Sequence, residues 1–178
     1  MSLRASIQSN IAEHILMLWQ TEDMLRALNL DINSVKKHLF KDQEAIEEQP
    51  ELRRDLNLYA VLIEEMKAEG IEQNGHLRRT ILLMSELESM HKILVDEVQD
   101  VSYMTLVDKA NETVNEFVEK KSKRKNLLFT EACLNVMYGV LVLRLQGKEI
   151  SEDTEKAVES MREVLKFLSK KYNEFKAN

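Results

Sequence analysis

Apolar side chains recur three and four residues apart along almost the whole of this chain, and nowhere do they alternate one by one with polar ones. The first spacing lines one face of an α-helix; the second, which a half-buried strand requires, is missing. Only four glycines and one proline occur in 178 residues, too few for a collagen, a low-complexity linker or a turn-rich β-sandwich. The pattern predicts an all-α chain, a single domain over residues 1–178 built as a bundle of six or seven helices.

Local punctuation places the helices. Ser9 or Asn10 can cap the first, whose inner face is Ile11, Ile15, Leu18 and Leu25, and it ends near Leu28. Asn29 and Asp31 suit a turn and a fresh cap, and Ile32, Val35, Leu39 and Phe40 mark a shorter second helix. Pro50, tolerated only in a first turn, begins a third helix through Leu52, Leu56, Tyr59, Ile63 and Met66, which Gly70 stops. After the tight connection GIEQNG, a long fourth helix carries Leu77, Ile81, Met84, Leu87, Leu94 and Val98 to about Asp100. A fifth follows the stripe Leu106, Val107, Ala110, Val114, Phe117 and Val118, and leads into the basic run KKSKRK from Lys120 to Lys125. From Leu127 to Leu145 apolar residues nearly encircle a helix, as in the central member of a bundle, and Gly147 closes it. Ser151 with Glu152 and Asp153 opens the last helix, lined by Ala157, Val158, Met161, Leu165, Leu168, Tyr172 and Phe175. No repeat of fixed period and no long polar linker divides the chain.

Charge and cysteine usage narrow the surroundings. The 31 acidic and 25 basic side chains leave a net charge of -6, which argues against nucleic acid as a partner, and the basic run lacks the interleaved aromatics of such a site. A lone Cys133 forms no internal disulfide and needs no oxidising compartment. The N-terminal stretch has no unbroken apolar segment before Glu13 and His14, so it does not read as a signal peptide. The longest apolar stretch, Leu134 to Leu145, is interrupted by Asn135 and Arg144 and falls well short of the roughly 20 residues that span a bilayer. The expectation is a cytoplasmic protein with neither membrane nor nucleic acid among its partners.

Few residues assemble into recognisable chemistry. Gly70 and Gly75 have the spacing of a phosphate loop before a helix, but the loop lysine is missing. Glu88 and His91 form one Glu-x-x-His pair, to which Glu22 or Glu131 could add carboxylates; the second such pair of a di-metal bundle is absent. The plainer reading makes His91 a hydrogen-bonded histidine at the core edge with Glu88 on its solvent side, and no metal or cofactor is expected. Cys133 lies on the apolar sixth helix, where a thiol behaves as a small hydrophobe.

The first helix holds the oddest position. Along Ile11, Ile15, Leu18, Glu22, Leu25 a carboxylate occupies an apolar place, with Trp19 beside it and Arg26 one turn on. Arg144 interrupts VLVLRL in the same way. Because a buried charge is expensive unless paired, the two interruptions predict an inward Glu22–Arg144 ion pair between the first and sixth helices. The alternative leaves Glu22 at an exposed end of the bundle and turns Arg144 outward. Trp19, Glu22, Arg144 and His91 form the candidate polar site.

Three stretches resemble a known family: NIAEHILMLWQTEDMLRAL (Asn10 to Leu28), EGIEQNGHL (Glu69 to Leu77) and YGVLVLRLQGKEISEDTEKA (Tyr138 to Ala157). Together they are similar to a bacterial family catalogued as domain of unknown function 4924. The resemblance implies an all-helical domain and directs attention to Trp19, Gln20, Glu22, Asp23, Arg144 and Gln146, without bringing an activity. Aromatic residues are expected in that family where His14 and Met17 stand here, which argues against His14 as a shared ligand.

Two functions remain open. One is a non-catalytic cytoplasmic helical protein acting through protein–protein interaction, with itself as a homo-oligomer or with a protein partner. The other is a small-molecule or metal-binding enzyme with its polar site between helices one, four and six. A polar pocket at those residues would favour the second, and a filled core with exposed apolar surface the first.

Overall fold

The computed structural model describes residues 10–40, 46, 48–120 and 127–177. Among these the chain forms seven α-helices and no strand: α1 (Ile11–Ala27), α2 (Ile32–Leu39), α3 (Pro50–Ala68), α4 (Arg78–Lys92), α5 (Val101–Lys120), α6 (Phe129–Leu145) and α7 (Glu152–Lys176). A single π-helical turn, Ile93–Glu97, extends α4. Most of the basic run, Lys121 to Lys125, lies outside the described residues.

Residue choice explains the helix ends. Asn10 accepts hydrogen bonds from the amides of Ala12 and Glu13 at 3.1 and 3.2 Å, and Ser169 of α7 donates to the same oxygen at 2.6 Å, tying the start of α1 to the last helix. At its other end α1 closes in a Schellman turn: the amide of Leu30 donates to Leu25 and that of Asn29 to Arg26. This holds Asn29 and Leu30 in left-handed conformations, a strain offset by burying Leu30 against Leu25. Asp31 then caps α2 through the amides of Asn33 and Ser34. Gly70, at φ +66°, ends α3 in the same kind of turn, with the amide of Ile71 donating to Met66.

The core falls into two clusters. The larger joins the start of α1 (Ile11, Ile15, Trp19) to α4, α5, α6 and α7 through Leu87, Tyr103, Leu134, Met161 and Leu168. The smaller joins the end of α1 (Leu25) to Leu30, α2 (Val35), α3 (Leu62, Ile63, Met66) and Leu77. Each fully buried leucine contributes about 1.5–3 kcal/mol, and among the described residues α1 is the one helix that supplies residues to both clusters.

Four sequence expectations change. The fourth helix does not run unbroken to Asp100; the π turn takes up an extra residue, which rotates Val98 to the surface at 60% exposure. Thr80, rather than Ile81, takes the inner position in the first turn of α4, because its hydroxyl has a buried partner. The sixth helix is central only in part. Ala132, Cys133 and Leu134 are buried, whereas Leu141, Val142 and Leu143 stay partly exposed and belong to neither cluster, and Leu145 is 64% exposed. Phe175, expected to line α7's inner face, is also exposed.

Candidate functional site

Glu22 is fully buried on α1, and its partner is not Arg144. One carboxylate oxygen accepts from the Leu77 amide at 3.2 Å and the Thr80 hydroxyl at 3.1 Å. The other accepts from His76 Nδ1 at 2.6 Å. Leu77 is the N-cap position of α4 and offers no capping side chain of its own. Glu22 therefore supplies the missing cap from another helix, with its negative charge at the positive end of the α4 dipole. A buried carboxylate can be compensated by oriented amides and hydroxyls as well as by a cation, and this is why the expected ion pair does not form. Arg144 is half-exposed at the end of α6, where its guanidinium pairs with Glu155 of α7 at 2.6 and 2.8 Å. The outward orientation considered for Arg144 holds; the exposed bundle end considered for Glu22 does not.

The residues around Glu22 build one polar cluster where α1, the 70–77 connection and α6 meet. Trp19 stacks on the His76 ring, centroids 4.6 Å apart and planes 17° apart, and meets Tyr138 of α6 edge-on at 5.5 Å. The Tyr138 hydroxyl donates to Asp23 at 2.6 Å, and burial together with this bond raises the phenol above its ordinary pKa. Arg26 pairs with Asp23 at 2.8 Å and donates to the backbone carbonyls of Ile71 and Gly75. Trp19, Glu22, Asp23 and Arg26, spaced so that they share the inner and flanking faces of α1, thus hold the connection that leads into α4. The indole Nε1 of Trp19 is buried without a hydrogen-bond partner.

His91 belongs elsewhere. Its Nδ1 lies 2.7 Å from the Tyr103 hydroxyl, and its ring stacks on Phe129 at 4.8 Å. Burial lowers its pKa, partly opposed by the nearby Glu88 and Asp96 carboxylates, so the neutral ring accepts a hydrogen bond from the Tyr103 hydroxyl. Glu88, placed by the plainer sequence reading on the solvent side, is buried instead. It repeats the device used by Glu22. It accepts from the Thr130 hydroxyl at 2.7 Å and the Thr130 amide at 3.3 Å, in the first turn of α6, which has no capping side chain of its own. Two buried glutamates on two helices therefore satisfy the open amides of two others.

Of the four expected site residues, Trp19 and Glu22 come together, while His91 and Arg144 stand apart from them and from each other. His76, Thr80 and Tyr138 complete the cluster. The signal for them was a pair of defects: an acid in an apolar row of α1, and a helix beginning at leucine with no cap of its own. No group of three or more metal-ligating side chains is gathered among the described residues, and no described helix is long and apolar enough to cross a membrane. Burial, with Glu88 nearby, pushes the Cys133 thiol up to about 12, which removes the thiolate that nucleophilic chemistry would need.

In comparison with known proteins, the family described as a domain of unknown function (DUF4924) matches residues 3–178. No curated protein and no solved structure matches the chain.

Proposed function

The chain belongs to the DUF4924 family, and we propose that it works as a non-catalytic helical protein that holds a protein partner on the partly exposed C-terminal half of α6. One observation carries this reading: Leu141, Val142, Leu143 and Leu145 are apolar, partly or largely exposed, and packed into neither core cluster. Apolar side chains that their own chain covers only in part gain by being covered further from outside. The buried acids support the same reading, since Glu22 and Glu88 are engaged in closing helix ends. A photo-crosslinking residue in place of Leu143 tests it in intact cells. The expected result is an adduct to one defined protein, the chain's own copy included, that disappears when Leu145→Glu is added. Absence of any protein adduct overturns it.

A second reading, a small-molecule site between α1, α4 and α6, is favoured by the Glu22–His76 pair. The His76 side chain is 35% exposed while its Nδ1 is held by the carboxylate, which leaves Nε2 to serve as an acceptor or a proton carrier. Thermal-shift profiling of wild type against His76→Asn with a metabolite collection separates the two: a stabilising compound lost in the variant supports the small-molecule site.

A further inference from the structure

Every buried side chain of α2 and α3 belongs to the smaller cluster: Val35 on α2, and Leu62, Ile63 and Met66 on α3. At the end of α2 the Phe40 ring meets Tyr59 of α3 edge-on at 6.4 Å. Among the described residues α2 packs chiefly against α3, and neither packs as closely against any other helix. Toward the rest of the molecule the pair seats on Leu25 of α1 and on Leu77. The polar ties that cross from α3 to α4 lie at the surface. Arg79 pairs with Glu65 at 3.1 Å with both side chains more than a third exposed, and the Arg78 amide donates to the Glu69 carboxylate at 2.7 Å. Exposed ties of this kind hold weakly.

The chain on either side of the pair is anchored to α1. Before it, α1 runs to Ala27. After it, Arg26 holds the carbonyls of Ile71 and Gly75, and Glu22 holds His76 and the Leu77 amide. Residues 31–69 therefore leave the anchored chain at two points, and left-handed backbone marks both: Asn29 and Leu30 at φ +56° and +50°, and Gly70 at +66°. Such turns concentrate a change of direction in one or two residues at an element's end, as a hinge does. Between them lies a cleft of about 400 Å³ lined by Arg26, Asn29, Leu30, Lys67, Glu72 and Gln73, which leaves the turns room to move.

We infer that α2 and α3 form a hinged flap, which lifts as one unit about Asn29–Leu30 and Gly70 and uncovers Leu25 and Leu77 while the larger cluster and the Glu22 cap of α4 stay in place. The inference is independent of what covers α6. Lifting the flap gives up only the smaller cluster, which among the described residues holds nine buried side chains against eighteen in the larger one. The flap therefore opens far more often than the whole chain unfolds.

Native-state hydrogen exchange on the full chain, read amide by amide by NMR, tests the flap. In wild type the slowest amides of α2 and α3 should share one opening equilibrium, at least about tenfold more open than that of the slowest amides of α6 and α7. The Leu77 amide, which donates to Glu22, should exchange more slowly than α3. Leu62→Ala removes packing that the closed flap has and the open flap lacks, so it should quicken α2 and α3 together by at least about tenfold. Val164→Ala hollows the larger cluster, which is intact whether the flap is open or closed. It should quicken the slowest amides of α6 and α7 and leave α2 and α3 unchanged. If Val164→Ala quickens α2 and α3 as much as α6 and α7, they open only with the whole molecule and the inference is overturned. It is overturned equally if Leu62→Ala quickens α3 without α2, or if the Leu77 amide exchanges at the α3 rate, since the pair would then not move as a unit or would not hinge at Gly70.

Discussion

The carboxylate of Glu22 lies within hydrogen-bonding distance of the Leu77 amide at 3.2 Å, across 55 residues of sequence, and so starts a helix to which it does not belong. Leu77 is itself fully buried in the smaller cluster. Glu22→Leu leaves the Leu77 amide and the Thr80 hydroxyl buried without a partner and should cost about 3–5 kcal/mol. Glu22→Gln keeps an acceptor for them and should cost about 1–2 kcal/mol. Urea denaturation of the variants measures both.

Arg144→Met should cost under about 1 kcal/mol, because its pair with Glu155 is half-exposed. In a double-mutant cycle Glu22→Leu and Arg144→Met should be additive within about 0.5 kcal/mol, as expected of residues sharing no partner. A larger coupling would place the two charges in contact after all.

Arg26→Lys should loosen the 70–77 connection. A lysine ammonium cannot reproduce the guanidinium fork that reaches both the Ile71 and Gly75 carbonyls. Hydrogen exchange should quicken from Ile71 to Leu77 while α5 and α7 exchange as before, at a stability cost of about 1–3 kcal/mol.

Lowering the pH should destabilise the native state through His14 and His91. Burial lowers both below the ordinary imidazole value of 6.5, helped at His14 by the charge of Arg79. Between the lowered native values and 6.5 the unfolded chain binds more protons than the folded one, so stability is full above that window and declines as pH falls through it. Unfolding free energy should drop from about pH 7.5 to about pH 5.5, and less steeply in a His14→Gln, His91→Gln double variant.

Gly139→Ala should raise the intrinsic stability of the chain by about 0.5–1 kcal/mol, since the added Cβ meets nothing and helix propensity improves. Urea denaturation of the variant against wild type measures the gain.

Where local chemistry decides, the sequence could be read directly. Asn10, Asp31, Pro50, Gly70 and Ser151 each act on amides or backbone angles within a few residues, and each stands at a helix end. The π turn at Ile93–Glu97 carries no comparable mark in the sequence, and with it went the facing of Val98. At the site, the unusual burial of Glu22 was visible as an acid in an apolar row. Its partner was not, since opposite charge is only one means of compensating a carboxylate, and which helix end faces Glu22 depends on the whole fold. The same limit hid Glu88, whose partner Thr130 lies 42 residues on.

Because α1 serves two cores, its length is as constrained as its composition. Ile15 and Leu25 are both fully buried, one in each cluster. Inserting or deleting one residue between them would turn one half of the helix about 100° relative to the other. Leu25 and Ile15 could not then both face inward, and a change between Trp19 and Glu22 would also turn Glu22 away from Leu77 or Trp19 away from His76. Point changes on the outer face of α1 can be absorbed one at a time, but a single-residue change in its length would separate the two halves of the molecule.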